Sequence, residues 1–470
     1  MDYIIRNALI IDGTGQEPFK SDISIKGDKI VSISEHIVDS TSQEIAAAGF
    51  CVSPGFIDSH AHDDYALIND PTILCKLSQG VTSVVIGNCG ISMAPLLQSP
   101  IKYKPFDLLA KKDNNFFKSM ADYIGYLEKN PPSVNYLPLI GNAALRVSVQ
   151  DNPDNIPNAS EIKDMVDLLD KNLAQGARGL SLGIEYPLGS NISVNEIVPL
   201  LECVKKYNGV VAMHIRTEGN GIIDAIKEAV DLNPFKDLPL IISHHKCAGV
   251  KNFNNSIKTL AMIEAEAKQR NIKIDAYPYT YASTVLLPGF VKLSSKTIIS
   301  YSESYPEYVG KELSDICTLM NCNEEEAIQN LSPAKALYHV MSDDDVNRIL
   351  SHPLCMLGSD GLHDENPHPR LWGSFSRFLG HYVRDNNLLP LQEAVRKITS
   401  LPAQTYGLKD RGILKSGAFA DIVIFNKDTI KDTAVFGNLT PSQGIKAVFV
   451  NGKLTFNNGL YTGISAGIKL

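Results

Sequence analysis

Hydrophobic and polar residues alternate along short segments at both ends of the chain, which is the pattern of half-buried β-strands. In the first fifty residues these segments cover residues 3–5, 8–11, 23–25 and 29–33, with glycine-containing turns between them. They favour a meander of antiparallel strands. The C-terminal end repeats the pattern at residues 420–425 and 447–453, where Asn451-Gly452 is a strong hairpin signal. Two β-rich ends around a different middle predict one small β-domain built from both termini.

The middle of the chain alternates apolar, β-branched segments with stretches of helical periodicity. The helical pattern is clearest at residues 161–173, 193–206, 222–231 and 256–270. Strands that alternate with helices pair in parallel, and eight such units predict a closed (β/α)₈ barrel. The eight strand-like segments are residues 55–58, 81–86, 136–140, 179–184, 210–215, 238–243, 272–277 and 354–358.

One connection in this series is too long for a single link between a strand and a helix. Residues 282–345 contain a Pro-Gly pair, a charged stretch and two cysteines. We expect them to form an inserted, lid-like segment over the mouth of the barrel. The predicted organisation is a β-sandwich domain from residues 1–53 and 412–470, and a barrel from residues 54–411 that contains the insertion.

Composition and charge narrow the classes of function. The 470 residues are 44% apolar and 20% charged, which suits a large barrel with a smaller module. The formal net charge of −8 argues against nucleic acid or an anionic membrane as a partner. No apolar run reaches about 18 residues and no signal-peptide pattern is found, so we expect no membrane segment. The eight scattered cysteines favour a reducing cytoplasm, and no feature indicates the oligomeric state.

Residue types that bind transition metals recur where the predicted barrel strands end, which is where such barrels carry their functional residues. Residues two apart on a strand face the same side, so two histidines after the first strand can reach one point. Imidazole and thiolate together favour zinc over magnesium or calcium. The candidate ligands are His60 and His62 after the first strand, Cys89 after the second, His214 after the fifth, His244 after the sixth and Asp360 after the eighth.

Each candidate has a simpler interpretation when it is taken alone. A His-x-His pair often lies in a polar surface turn, a lone cysteine such as Cys89 is usually a buried apolar thiol, and Asp360 could cap the next helix. The recurrence of these residues at strand ends favours the metal interpretation. His244 directly follows its apolar run, so we expect it, rather than His245, to face the centre. The histidines expected on the surface or in loops are His352, His363, His368 and His381.

This donor set predicts hydrolytic chemistry. Zinc lowers the pKa of bound water to about 7 and polarises a carbonyl oxygen. A carboxylate beside it can take the proton of the water and pass it to a leaving nitrogen, and Asp360 is the best candidate for that role. The expected reaction is the hydrolysis of an amide or a related C–N bond.

Motifs along essentially the whole chain resemble the D-aminoacylase family of the amidohydrolase superfamily, whose members are N-acyl-D-amino-acid deacylases. The first-strand signature is the most specific of them. The motifs are Pro54-Gly55-Phe56-Ile57-Asp58-Ser59-His60-Ala61-His62-Asp63-Asp64, Gly87-Asn88-Cys89-Gly90, His214-Ile215-Arg216-Thr217-Glu218-Gly219, Ser243-His244-His245-Lys246, Asp275-Ala276-Tyr277-Pro278-Tyr279, Gly358-Ser359-Asp360-Gly361, Pro367-His368-Pro369-Arg370 and residues 411–421.

The resemblance implies a (β/α)₈ barrel with a β-sandwich from both termini, and zinc as the cofactor. It implies that Cys89, rather than a carboxylated lysine, is the ligand shared at the metal centre. The fourth strand agrees, because it ends in Glu185-Tyr186 without a lysine. The implied ligand sets are Cys89, His214 and His244 for a tighter zinc, and His60, His62 and Asp360 for a second, weaker position.

The same resemblance implies a small-molecule substrate, an N-acyl-D-amino acid, which is hydrolysed to a carboxylate and a free D-amino acid. Its free carboxylate needs a clamp, and a planar guanidinium can bind both oxygens. One departure from the family is Asn142, which follows Gly141 where a histidine is frequent, and which bears on substrate range. By analogy with the family, the clamp candidates are Tyr186, Lys246, Tyr277 and Arg370.

Two other functions stay open on the sequence. Another amidohydrolase activity, on cyclic amides or D-containing dipeptides, would share the metal centre but not the carboxylate clamp. A catalytically silent barrel would need none of the ligands, and the presence of all six argues against it.

Overall fold

The computed structural model describes residues 1–39, 42–103, 105–106, 109, 116–364 and 366–470. Its strands are β1 (Tyr3–Ile10), β2 (Phe19–Lys26), β3 (Lys29–Ser34), β4 (Gln43–Ala46), β5 (Cys51–Pro54), β6 (Phe56–Asp58), β7 (Val81–Ile86), β8 (Asn135–Pro138), β9 (Ile140–Gly141), β10 (Gly179–Gly183), β11 (Val210–His214), β12 (Leu240–Ile242), β13 (Ile272–Ala276), β14 (Tyr281–Val285), β15 (Thr297–Ser302), β16 (Ala334–His339), β17 (Cys355–Leu357), β18 (Ile422–Phe425), β19 (Ile445–Val450), β20 (Lys453–Asn457) and β21 (Leu460–Tyr461).

The α-helices are α1 (Ala66–Asn69), α2 (Leu74–Leu77), α3 (Met120–Lys129), α4 (Asn142–Val149), α5 (Ala159–Ala174), α6 (Val194–Lys206), α7 (Ile222–Leu232), α8 (Ser256–Ala267), α9 (Pro288–Leu293), α10 (Leu313–Met320), α11 (Glu324–Leu331), α12 (Asp343–Ser351), α13 (Arg370–Arg377), α14 (Leu391–Ile398) and α15 (Ser400–Thr405). The structure also has short 3₁₀ helices at Pro187–Gly189, Val250–Asn252 and Pro306–Tyr308, and a π-helix at Phe378–Asp385.

All eight strand-like segments of the middle of the chain are confirmed as strands, and segment 136–140 is divided between β8 and β9. The nine strands form two parallel sheets, with the orders β6-β7-β8 and β9-β10-β11-β12-β13-β17. Most of their side chains are buried, as expected for parallel strands whose faces are covered by helices and by other strands.

Backbone hydrogen bonds join the edges of these two sheets. Leu139 N donates to Ile86 O at 2.9 Å and Arg178 N donates to Pro138 O at 2.8 Å, so β8 and β9 connect β7 with β10. At the other edge Ser59 N donates to Leu357 O at 3.2 Å, which brings β6 beside β17. The carboxyl ends of the first and last strands of the series are therefore neighbours, although they are about 300 residues apart in sequence.

The predicted helices of this region are confirmed as α5, α6, α7 and α8. Helix α5 begins at a capping box, in which the Asn158 side chain accepts from the Glu161 backbone and the Glu161 side chain accepts from the Asn158 backbone. Within the described parts of the chain, no helix is both long and apolar enough to cross a bilayer.

A nine-stranded sheet contains strands from both ends of the chain. Its order is β21-β20-β19-β18-β5-β1-β2-β3, with β4 beside β1. Residues 3–5 and 8–10 belong to one strand, β1, not to two as predicted. The pairing register shifts between Ile5 and Ala8, where Asn7 has a φ of 56°. Strand β1 is parallel to β4 and β5, so the expected antiparallel meander is only partly correct. Asn451 and Gly452, with φ of 48° and 73°, form the predicted hairpin turn between β19 and β20.

Residues between β13 and α12 form a small unit of their own. Strands β14, β16 and β15 make an antiparallel sheet in that order, and α9, α10 and α11 lie in its connections. Helix α12, whose first residues fall within the predicted insertion, packs instead against α8 and β17. The separate unit therefore ends before α12.

Candidate metal centre and substrate cleft

Four of the predicted ligands meet around the side chain of Cys89. Its Sγ lies 3.3 Å from His60 Nε2 and 3.5 Å from His244 Nε2. His244 Nε2 in turn lies 2.8 Å from His214 Nδ1. All four side chains are buried. Three imidazoles and one thiol from four strand ends thus point at a common centre.

The remaining two predicted ligands extend this cluster on the side of His60. Asp360 Oδ1 lies 3.4 Å from His62 Nε2 and 3.7 Å from His60 Nε2. The predicted reason for the convergence of the two histidines is wrong, because β6 ends at Asp58 and both residues lie in the irregular segment after it. The bend of that segment, not strand alternation, turns both rings toward Asp360.

Three of the six residues have a left-handed backbone, with φ of 54° at Cys89, 35° at His244 and 49° at Asp360. This conformation is costly for residues other than glycine, and it concentrates at functional sites. Asp360 is not the cap of the next helix either, because that helix, α13, begins only at Arg370. Gly358 makes the approach of the last strand possible, because a Cβ there would lie 2.5 Å from the Cβ of His60.

Three carboxylates contact the ring nitrogens that point away from the centre. A carboxylate beside the outer nitrogen makes the other nitrogen a better ligand, and the contact of His214 with Glu185 is also a hydrogen bond that orients the ring. The sequence did not indicate this role for any of the three. Only Asp275 could have been noticed, because it places a carboxylate within the largely buried strand β13. The pairs are His60 Nδ1 with Asp275 Oδ1 at 3.2 Å, His244 Nδ1 with Glu218 Oε1 at 2.6 Å, and His214 Nε2 with Glu185 Oε2 at 2.7 Å.

The electrostatic environment favours ionised donors. Burial alone would raise the pKa of the Cys89 thiol, but His60 and His244 hold it well below its usual value. Burial alone would likewise raise the pKa of Asp360, but Arg370 and His62 hold it well below its usual range. A thiolate and a carboxylate among imidazoles are the donors that zinc prefers. The residues therefore fit a zinc centre.

A cleft of about 490 Å³, including its open mouth, lies over this cluster. Lys246 and Arg370 line it, and both are buried, so neither is a solvent-exposed loop charge. Lys246 Nζ makes a short contact with Glu218 Oε1, and Arg370 Nη1 lies 3.0 Å from Asp360 Oδ2. Both predicted clamp cations are thus already paired with carboxylates.

The two predicted tyrosines also line the cleft. The Tyr186 ring lies over His214, with 4.9 Å between ring centroids, and the guanidinium of Arg370 lies 4.6 Å from the centroid of Tyr277. Within the described residues, the buried Tyr277 hydroxyl and Arg370 Nε have no hydrogen-bond partner. Unpaired buried polar groups are costly, so these two atoms are free to bind a polar ligand in the cleft.

Comparison with known proteins agrees with this geometry. Residues 313–456 match the model of a family described as an amidohydrolase family. The chain is 39% identical over 468 residues to the D-aminoacylase of Alcaligenes xylosoxydans xylosoxydans, covering 99% of this chain and 96% of the relative. The chain belongs to the D-aminoacylase family of amidohydrolases.

Solved structures support membership of the D-aminoacylase family. The N-acyl-D-glutamate deacylase of Bordetella bronchiseptica, complexed with zinc and a phosphonate mimic of the tetrahedral intermediate, has a TM-score of 0.95 at 36% identity and covers 100% of this chain and 99% of its own. A D-aminoacylase structure that concerns a binuclear metal centre, with one-metal activation and second-metal attenuation, has a TM-score of 0.95 at 40% identity and the same coverage.

Asn142, at a position where the D-aminoacylase family often has a histidine, takes part in a buried hydrogen-bond network. Asn142 is buried at the start of α4, and its side chain donates to Glu196 at 3.0 Å. Glu196 also pairs with Arg146, which donates to Leu188 O at 2.8 Å in the loop after Tyr186. Asn142 therefore belongs to a buried polar network behind that loop, and it does not line the cleft.

Two of the four histidines expected on the surface or in loops are buried, namely His352 and His368, although His368 does lie in a loop. His363 is an exposed loop residue as expected, and its ring contacts Asp63 at 2.7 Å. His368 packs edge-on against Tyr279, whereas His352 contacts Glu264. His245 faces away from the centre and pairs with Thr259 at 2.9 Å, while His244 faces it. The local sequence pattern could not indicate the burial of His352 and His368, because segments distant in sequence cover them.

Proposed function

We propose that this chain is a zinc-dependent deacylase that hydrolyses N-acyl-D-amino acids to a carboxylate and a free D-amino acid. One observation carries the proposal: the six candidate ligands cluster together, and four of them line a cleft that also presents two buried cations. The homologous deacylases act on substrates of this class, and a zinc complex of one of them has the same fold. The proposed ligands are Cys89, His214 and His244 for the tighter position, and His60, His62 and Asp360 for a second position.

Zinc bound to these residues supplies a Lewis acid that activates water and polarises the scissile carbonyl. The Asp360 carboxylate is ionised, so its Oδ1 can accept a proton from the attacking water. The water oxygen forms a bond to the acyl carbon, whose C=O π bond opens to give a tetrahedral intermediate. Asp360 then passes the proton to the nitrogen, and the C–N bond breaks as the C=O bond re-forms, which releases the carboxylate and the amine of the amino acid.

The free carboxylate of the substrate is proposed to bind Arg370 and Lys246, with Tyr186 and Tyr277 as further contacts. The unpartnered Arg370 Nε and Tyr277 hydroxyl support this role, since both lie at the cleft. With the carboxylate, carbonyl and leaving nitrogen all held, only one enantiomer can place its side chain in the open part of the cleft. The relatives make that the D form.

The architecture that we propose for this reaction is a closed (β/α)₈ barrel. The hydrogen bonds between β6 and β17, and around β8 and β9, support closure of the two parallel sheets into one ring. Residues 54–411 would form this barrel and residues 1–53 and 412–470 the β-sandwich domain. The inserted lid would be the part of the predicted segment 282–345 that precedes α12. Ala282, Ser283 and Phe290 line the cleft, which supports the lid position.

Assays on a matched set of substrates test the proposed function. N-acetyl-D-methionine, N-acetyl-D-glutamate, N-acetyl-L-methionine, a D-containing dipeptide and a hydantoin are compared with the same zinc-loaded protein. We expect hydrolysis of an N-acetyl-D-amino acid to exceed that of the L isomer and of the other two classes. Equal rates on the D and L isomers would overturn the stereochemical assignment, and faster turnover of the hydantoin or dipeptide would favour another amidohydrolase. Purified protein without zinc would favour the silent barrel.

A further inference from the structure

A fully buried lysine lies directly behind the metal cluster. Lys76, in the short helix α2, has no exposed side-chain surface. Its Nζ donates to Asp58 Oδ2 at 2.7 Å and to Ser359 Oγ at 2.8 Å, and it lies 3.3 Å from Asp63 Oδ2. A single ammonium group therefore holds two buried carboxylates and one hydroxyl, which come from segments far apart in sequence.

The three partners of Lys76 flank the ligands of the second metal position. Asp58 and Asp63 bracket the segment that carries His60 and His62, and Ser359 immediately precedes Asp360. Further hydrogen bonds tie these two segments together through the Asp58 carboxylate and the backbone. Asp58 Oδ1 accepts from Ser359 N at 2.8 Å and from His60 N at 3.3 Å, and Asp360 N donates to His60 O at 2.8 Å.

His363, in the loop after β17, also belongs to the network around Lys76. His363 Nε2 lies 2.7 Å from Asp63 Oδ1, and the His363 side chain is 28% exposed. Burial alone would lower the pKa of Lys76, but Asp58 and Asp63 raise it above its usual value. Burial alone would raise the pKa of Asp63, but Lys76 and His363 lower it. The lysine and the carboxylate thus stay charged and held together.

The ligands of the tighter position are held by other groups. His214 contacts Glu185, and His244 contacts Glu218 and donates from its backbone N to Asp275 Oδ1 at 2.7 Å. Cys89 lies next to Gly90, whose N donates to Ser181 Oγ at 3.0 Å. None of these contacts, within the described residues, passes through Lys76. Its contacts are confined to the segments of the second position.

We propose that Lys76 is a positioning residue for the second metal position, because it holds the His60–His62 segment and Asp360 at the separation that one ion requires. The inference rests on the proposed zinc centre. Loss of groups that orient metal ligands typically lowers metal affinity by about 10–100-fold. Because Lys76 contacts only the segments that carry His60, His62 and Asp360, its loss should lower the zinc affinity of the second position and not that of the tighter one.

Zinc titration of the metal-free full-length protein tests the inference. The variant Lys76→Met replaces the ammonium with an apolar group of similar length, and Lys397→Met is the matched control, because Lys397 is a buried lysine that contacts His352 O away from the cluster. Bound zinc is counted after equilibrium dialysis at increasing free zinc, and circular dichroism checks the fold. In Lys76→Met we expect the first equivalent to bind as in the wild type and the second to bind about 10–100-fold more weakly. Lys397→Met should bind both as the wild type does.

Removal of Lys76 leaves two buried carboxylates without their cation, and such changes can prevent folding. If Lys76→Met does not fold, the variants Asp63→Asn and Ser359→Ala are tested instead. Asp63→Asn leaves Lys76 paired with Asp58 so that the charges balance, and Ser359→Ala removes only a hydroxyl. Each should weaken the second equivalent by about tenfold and spare the first. Unchanged affinity for the second equivalent in a folded variant would overturn the inference, as would equal weakening of both equivalents. A wild-type protein that binds only one zinc at saturation would also overturn it, whereas a wild type that binds none would overturn the proposed zinc centre itself.

Discussion

The guanidinium of Arg370 lies 3.0 Å from the carboxylate of Asp360, as measured from Nη1 to Oδ2, and both side chains lie at the floor of the cleft. The proposed anchor for the substrate carboxylate therefore also holds the proposed proton acceptor. On the sequence alone, loss of Arg370 is expected to raise KM and to leave kcat unchanged, since a carboxylate anchor serves ground and transition states alike. The observed ion pair changes that expectation.

Arg370→Ala should raise KM and also lower kcat, because Asp360 loses the cation that orients it. A hydrogen bond to a charged group is worth about 1.5–3 kcal/mol, so kcat/KM should fall at least about tenfold. Lys246→Ala serves as the comparison, since Lys246 pairs with Glu218 rather than with Asp360. Steady-state kinetics on N-acetyl-D-methionine separate the two effects. An unchanged kcat in Arg370→Ala would show that the ion pair has no role in the chemical step.

Asp360→Asn should lower kcat by about 100–10,000-fold, which is the usual contribution of general acid–base catalysis. The amide keeps the size and polarity of the side chain, but it cannot accept the proton of the attacking water. KM should change little, and one equivalent of zinc should remain bound, since the tighter position does not include Asp360. Near-normal turnover in a variant with full zinc content would assign the proton transfer to another group.

Cys89→Ala should lose bound zinc and activity, because the thiolate lies at the centre of the cluster, 3.3 Å and 3.5 Å from His60 and His244. Cys51→Ala and Cys75→Ala are matched controls, since both cysteines are buried and burial raises the pKa of their thiols. Metal analysis of the three purified variants checks this. Wild-type zinc content in Cys89→Ala would remove the thiolate from the centre.

Stability should fall on acidification partly through His245, which is outside the metal cluster. Burial lowers the pKa of His245 to about 4, whereas an unfolded histidine has a pKa of about 6.5. Between these values the unfolded chain binds a proton that the folded protein does not, so this contribution to stability is lost as the pH falls from 6.5 toward 4. Between about pH 7.5 and pH 5, the metal-free wild type should lose about 2 kcal/mol more than His245→Gln. Urea denaturation at both pH values measures the difference, and parallel losses in the two proteins would contradict it.

The insertion should be the first part of the protein that a protease cleaves. Leu287 and Leu319 are exposed there, and Phe290 reaches the cleft. A bound phosphonate that mimics the tetrahedral intermediate should slow cleavage between residues 282 and 345, because it fills the cleft that this segment lines. Limited proteolysis with mass spectrometry locates the cuts. Cleavage at the same rate with and without the analogue would show that the segment does not respond to the cleft.

The local hydrophobic pattern determined the secondary structure of the middle of the chain. Eight apolar segments and four helical stretches are found where periodicity placed them, because burial on one or both faces imposes a period on the sequence of each element. The candidate ligands were identified for the same reason, because each lies at the end of an apolar segment or shortly after it, as with His214 at the end of β11 and Cys89 after β7.

Tertiary structure alone decided how those residues act on one another. The carboxylates of Glu185, Glu218 and Asp275 contact imidazoles that lie in other segments, and no short-range pattern links them. Lys76 meets Ser359 across 283 positions of sequence, and Asp360 meets Arg370 only because the loop between them folds back. Sequence periodicity indicates whether a residue is on the buried face of its own helix or strand. The contacts between side chains of different elements depend instead on how distant elements pack, and packing depends on the whole chain.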